Sequence, residues 1–295
     1  MKKLLEITYD GGPILDVVFA AQRVLLEKEL GRGFMHLSLS GIGRAGRAKI
    51  LQKASKQRWD AVLIRGIRGM KEASPFFTRT PFFVDHVGGY DFGVRNEFSQ
   101  FASKLRRVFC YSPQADSELR SAGIGGVSTL AGPFLPSLPT PRPMVEVPVM
   151  GLLDTGHGAR AVLGGIKRVR DAQGWGFEIV TTVRDADSRQ VDNAFEVAEQ
   201  CDLLVCPMEF KDQGTPHEGA ILALSIGRAL ATSHTSAILT MPYPSATYLP
   251  VERYGLGSFN SVWEVYRRGR TRLDGWPTKA RTDHNHLPRE ILKRL

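Results

Sequence analysis

The chain alternates short apolar runs with amphipathic helical stretches, breaks at a run of prolines, and then begins the same alternation again. Few folds accommodate that pattern, because strands separated by helices pair in parallel and need helices on both faces of their sheet. In the first half, Leu4–Tyr9 is an apolar run closed by the turn Asp10-Gly11-Gly12-Pro13. Ile14–Leu30 then carries Val17, Val18, Ala21, Val24 and Leu25 at helical spacing. Further strands are expected at Phe34–Leu39, Ala61–Ile64, Pro81–Val84 and Val108–Tyr111, and helices at Arg44–Trp59, Asn96–Leu105 and Gln114–Ala122.

Pro133, Pro136, Pro139, Pro141, Pro143 and Pro148 then make an extended, stiff segment suited to a linker. Beyond it, strands are expected at Val147–Leu153, Phe177–Val183 and Asp202–Cys206, and helices at Ala159–Arg170, Val191–Glu199 and Glu218–Ala229. A chain of 295 residues is too long for one ordinary core and fits two α/β domains. The expected fold class is therefore α/β, with two doubly wound Rossmann-like domains and a cleft between them. The expected boundaries are 1–135, 145–266 and a tail of 267–295 that packs back on the first domain. Ligands of such sheets sit at the carboxyl ends of the strands.

Composition narrows the class. With 42% hydrophobic and 23% charged residues the chain reads as a soluble globular protein, and no apolar run approaches the ~20 residues of a membrane span. Met1–Glu6 turns polar too early for a signal peptide. Cys110, Cys201 and Cys206 have no metal-type spacing and are expected as reduced core residues of a cytoplasmic protein, the last two on opposite faces of one strand. Asp283-His284-Asn285-His286 reads as solvated tail, and no metal is expected. Charge is uneven. Residues 1–138 hold 20 Lys and Arg against 12 Asp and Glu, residues 139–266 hold 10 against 15, and residues 267–295 hold 9 against 3. That asymmetry suggests a polyanionic partner for the first half and the tail.

Residues 201–233, CDLLVCPMEFKDQGTPHEGAILALSIGRALATS, carry the most chemistry. They read as a buried strand, a loop, a helix and a second apolar strand. Thr215 stands where an N-cap would, Pro216 at the first helical position and Glu218 three residues after the cap. The free N–H groups and dipole of such a helix start favour a pyrophosphate.

This segment resembles the donor-binding signature of GT-B glycosyltransferases, particularly the retaining enzymes that use nucleotide sugars. Asp202, Pro207, Gly214, Thr215, Pro216, Gly227 and Thr232 match the pattern in order. The resemblance implies a GT-B-like fold, an acceptor-binding first domain, and a second domain that takes a nucleotide-sugar donor, a UDP-sugar by preference. It also implies no required cofactor and no protein partner. Glu209 takes the role of the glutamate that contacts the sugar. The family's second glutamate, which holds the ribose, has no match near Leu222; that contact has moved to Glu218 or is absent. His217 falls in the same loop. Gly156 and Arg160 resemble the strand-and-loop that meets the diphosphate, with Lys211 another candidate. Gly11 and Gly12 resemble the glycine loop beside donor phosphate and acceptor; a turn needing unusual dihedrals explains them equally.

Pro81–His86 (PFFVDH) is read as a strand that delivers Asp85 and His86 to the cleft edge, where one of them would serve as base or oriented partner for the acceptor hydroxyl. Arg44, Arg47, Lys49, Lys53, Arg65 and Arg68 are the acceptor or nucleic-acid-binding candidates, and the tail's Arg267, Arg268, Arg270 and Arg272 extend the same surface. The favoured acceptor is DNA carrying a hydroxymethylated base, as in viral DNA-modifying glycosyltransferases, with the host cytoplasm as location. A lipid or lipid-linked glycan on an anionic membrane is the alternative acceptor. Phe76 and Phe77 are read as membrane-inserting or as core strand. Two rival classes stand beside these: a non-catalytic nucleic-acid binder on a degenerate GT-B scaffold, and a sugar-nucleotide epimerase.

Overall fold

The structure is a computed structural model that describes residues 1–9, 12–66, 68–86, 99–111, 113–130, 132, 135, 147, 149–153, 159–185, 187–206, 221–222, 229–232, 248–250 and 285–295. These residues form two compact units, one on the early strands with the C-terminal helix and one on the strands from Val149 onward.

The first unit runs β1 (Leu4–Thr8), α1 (Pro13–Leu30), β2 (Phe34–Ser38), α2 (Arg44–Ala54), β3 (Ala61–Arg65), α3 (Arg68–Ala73), β4 (Phe82–Asp85), β5 (Leu105–Cys110), α4 (Pro113–Ser121) and β6 (Val127–Thr129). Its strands lie in the order β2-β1-β3-β4-β5-β6, with every neighbouring pair parallel. β1, β3 and β4 are buried along their whole lengths, which is why they read as nearly unbroken apolar runs. Alternate residues then separate two cores. Leu5, Ile7, Val62, Ile64, Phe82 and Val84 meet Leu51 of α2, Met70 and Ala73 of α3, and Leu119 of α4. Leu4, Leu63, Phe83 and Phe109 face the other way, against Leu26 of α1 and against Leu287 and Ile291 of the C-terminal helix, His286–Arg294.

The second unit runs β7 (Val149–Leu152), α5 (Ala159–Gln173), β8 (Glu178–Thr181), β9 (Arg189–Gln190), α6 (Ala194–Gln200), β10 (Leu203–Cys206), β11 (Ala229–Thr232) and β12 (Tyr248–Pro250), and the helix His286–Arg294 of the first unit becomes α7. Its order is β12-β11-β10-β7-β8-β9, again parallel throughout. Renumbered from its own first strand, this is the Rossmann order 3-2-1-4-5-6, whose ligand crevice opens where the order reverses, between β7 and β10. α5 buries Val162, Leu163, Ile166 and Val169 at helical spacing and leaves Arg160 and Arg168 outside.

Several expected elements are corrected. The basic helix ends at Ala54 rather than Trp59, where Trp59 folds back and its indole N–H donates to the Ala54 carbonyl at 2.9 Å. Phe76 and Phe77 lie in turns after α3, not in a strand; Phe77 is core, packed edge-on to Phe82. Residues 105–107 belong to β5, α3 and the short strands β6 and β9 were not foreseen, and Cys201 caps α6 instead of lying on a strand. Cys201 and Cys206 consequently share one core cluster, and all three cysteines are buried, none of them in a disulfide.

Candidate functional site

In the first unit, three chemical side chains reach the carboxyl edge of the sheet on the α1 face. Arg65 ends β3, Asp85 ends β4 opposite it in register, and Tyr111 follows β5. Arg65 donates through Nη1 to Asp85 Oδ2 at 2.6 Å and to the Gln22 side chain at 2.7 Å, and through Nε to Glu6 at 2.8 Å. Tyr111 donates its hydroxyl to the other Asp85 oxygen at 2.6 Å, and Arg23 of α1 donates to Glu6 at 3.0 Å. Phe19 lies under the Arg65 guanidinium, 4.7 Å from ring centre. Burial acts to raise the Glu6 carboxyl, but Arg65 and Arg23 outweigh it and hold it below the usual range. Burial raises Asp85 by more than Arg65 and Tyr111 lower it.

This network corrects two expectations. Arg65 is 5% exposed, with Nε on Glu6 and Nη1 on Gln22 and Asp85, so it lies inside the unit rather than at the surface where a phosphate would pass. Asp85 is 0% exposed beneath α1, with one oxygen on Arg65 and the other on Tyr111, so it is an internal ion-pair partner rather than a base at a cleft edge. His86 is also buried, and burial lowers its imidazole to about 4, leaving the ring neutral at physiological pH.

Arg47 is partnered within the unit. It forms a two-pronged pair with Glu72 of α3, at 2.7 and 2.8 Å, donates to the Ile42 carbonyl at 2.8 Å, and stands over the Tyr9 ring. Its charge is matched within the fold. Arg44, Lys49 and Lys53 are exposed on α2, and Arg68 begins α3. Arg44 and Lys71 line a cavity of about 470 Å³ with Ala48, Leu51, Glu72, Pro75 and Phe76.

In the second unit, β7 stops at Leu152 and β10 at Cys206, so the chain passes from the crevice edge directly to the two sequence-assigned donor segments. Gly156, Glu209, Lys211, Gly214, Thr215, Pro216, His217 and Glu218 lie outside the described residues, as does Gly11 of the first unit. Gly12 is the N-cap of α1 with φ of +82°, a left-handed backbone that explains the glycine without a ligand. Asp202, part of the signature, sits at the other end of the strand. Its carboxylate accepts from the Val149 N–H at 2.8 Å and its own N–H donates to the Val149 carbonyl at 2.7 Å, which clamps the starts of β7 and β10 together.

Arg160, in the first turn of α5, lines a cavity of about 310 Å³ with Leu163, Gly164, Lys167, Val183, Arg184 and Asp185. Lys167 is paired with Asp185 and, at 3.4 Å, with Asp187, so among the described residues the wall's remaining cations are Arg160 and Arg184. Both are exposed, at the carboxyl side of β8 and the amino end of a helix, where an anion is favoured. Arg184 was missed in the sequence because β8 was expected to run on to Val183, which hid it at a strand end. Among the described residues no cluster of His, Cys, Asp and Glu could hold a metal, and no helix is long and apolar enough to cross a membrane.

No protein-family model and no curated protein matches the sequence. Solved structures do match, along essentially the whole chain. Anabaena HepE, crystallised with UDP and glucose, superposes with a TM-score of 0.65 at 12% identity, covering 100% of both chains. The fold is GT-B. A glycosyltransferase from Rickettsia africae has a TM-score of 0.62 at 11% identity, covering 99% of this chain and 97% of its own. A UDP-N-acetylglucosamine 2-epimerase has a TM-score of 0.60 at 11% identity, covering 99% and 95%.

Proposed function

We propose that the chain is a glycosyltransferase that takes a sugar from a UDP-sugar bound by its second unit, without a cofactor. The observation that carries this reading is the full-length likeness to HepE, which has been crystallised with UDP and glucose and with UDP-glucose. The Rossmann strand order supports it, because its switch point hands the chain to Gly156 on one side and to Glu209–Glu218 on the other. In this reading Arg160 and Arg184 meet the donor diphosphate, and Gly214–Glu218 is the segment of the sequence signature assigned to it. As the acceptor oxygen bonds to the anomeric carbon, the sugar–diphosphate bond breaks; the arginines stabilise the charge that gathers on the departing diphosphate, and an oxygen of that diphosphate takes the proton of the acceptor hydroxyl. Glu209 is the group assigned to the sugar. His86, neutral and at the end of β4, serves as hydrogen-bond partner rather than as a charged one.

For the acceptor, the first unit supplies exposed cations at Arg44, Lys49 and Lys53, with Arg68 at the start of α3. Hydroxymethylated DNA, the acceptor that charge alone favoured, now rests on these positions without Arg47 and Arg65. An epimerase is the second reading, favoured by the likeness to the UDP-N-acetylglucosamine 2-epimerase. The test is product analysis by NMR after incubation with UDP-glucose and UDP-N-acetylglucosamine. Free sugar plus UDP, or a glycosylated acceptor, is expected. A C2 epimer still joined to UDP would replace transferase by epimerase.

A further inference from the structure

The groove between α2 and α3 is built for a ligand with two unlike ends. Arg44, Ala48 and Leu51 project from one stripe of α2, and Lys71, Glu72, Pro75 and Phe76 face them from α3 and the turn after it. The space they enclose, about 470 Å³, is that of a small-molecule site. Its floor is apolar, with Leu51 buried and Phe76 half-buried, while Arg44 and Lys71 are exposed. Glu72, the one carboxylate on the wall among the described residues, is held by Arg47 in a two-pronged pair, so it does not repel an anion at full strength. We propose that this groove binds an aliphatic phosphoester: the phosphate between Arg44 and Lys71, the hydrocarbon along Ala48, Leu51, Pro75 and Phe76. Resting on the transferase reading above, this makes a phosphate-bearing amphiphile the acceptor class.

Duplex DNA fits the groove poorly. Its phosphates come in rows along a rigid rod, whereas this wall offers two cations around an apolar slot too small to admit the duplex. The α2 cations that could follow a DNA backbone, Lys49 and Lys53, stand roughly 140–180° round the helix from Arg44 at 100° per residue. They make a separate solvent-facing stripe.

The test is calorimetric titration of the full chain with monomeric dodecyl phosphate, inorganic phosphate and a duplex oligonucleotide, each with and without UDP-glucose. Saturable binding of dodecyl phosphate is expected, at least tenfold tighter than inorganic phosphate. Arg44→Ala with Lys71→Ala should weaken it tenfold or more, and Phe76→Ser alone should do the same. Arg168→Ala, on the exposed side of α5 in the second unit, should leave it unchanged. Equal affinity for phosphate and dodecyl phosphate would overturn the apolar half of the site. Dodecyl phosphate binding that ignores the groove substitutions, or duplex binding that the groove substitutions abolish, would overturn the assignment outright. UDP-glucose turnover with no amphiphile binding sinks the groove and spares the transferase. Groove-dependent amphiphile binding with no UDP-glucose binding supports the groove and sinks the transferase.

Discussion

Arg65 and Asp85 end two adjacent parallel strands in register, with Nη1 2.6 Å from Oδ2 and both side chains 1% exposed. Removing one member of such a pair leaves the other charge buried without its counter-ion, which typically costs about 3–5 kcal/mol. Arg65→Met should therefore unfold the first unit at much lower urea. Were Arg65 instead a surface phosphate contact, the urea midpoint would hardly move.

The imidazole of His86 titrates near 4 when folded, lowered by burial, against 6.5 for a free side chain. Between those values the unfolded chain holds a proton that the native chain does not, so stability is lost as pH falls from 6.5 and the loss is complete below about 4. The full effect is on the order of 3 kcal/mol. His86→Gln should remove this part of the slope when urea midpoints are compared at pH 7 and pH 4.5. An unchanged slope would place the acid sensitivity elsewhere.

Ile291 of α7 is 0% exposed in the core that also holds Leu4, Leu26 and Leu63. Truncating it leaves a cavity in a core that α1 and the sheet already fill, so Ile291→Ala should cost about 2–5 kcal/mol. Chemical denaturation checks this, and a loss below about 1 kcal/mol would mean α7 is dispensable to the first unit.

Arg184 gives a direct test of the donor side. If its guanidinium and that of Arg160 meet a diphosphate, Arg184→Ala should weaken UDP binding about tenfold, or about 1.4 kcal/mol. Arg120→Ala, in the first unit and paired with Asp116, should not. Equal effects from both would indicate general loss of charge rather than a site.

The wound sheets were legible because parallel strands buried on both faces must be apolar runs, and Leu4–Thr8, Ala61–Arg65 and Leu203–Cys206 are such runs. What the sequence concealed was the pairing of charges across them. Glu6, set inside LLEIT, was the visible sign of a buried partner, since an acid in a doubly covered strand needs one. Its partner lies 59 residues away and is fixed only by register. The same blindness put Arg65 and Asp85 at a surface and left the Glu72 partner of Arg47 unseen, because residue type announces charge but not what neutralises it. β6 and β9, at 3 and 2 residues, were too short to leave a period.

The central claim is that the second unit binds a uridine diphosphate sugar, and a thermal unfolding titration with UDP measures it most directly. Saturable stabilisation is predicted, reaching ~2.7 kcal/mol when UDP stands at 100 times its dissociation constant, with Arg160→Ala and Thr215→Ala each shifting the titration to higher UDP. No shift in the unfolding transition at millimolar UDP, under conditions where the wild-type chain unfolds cooperatively, would contradict it.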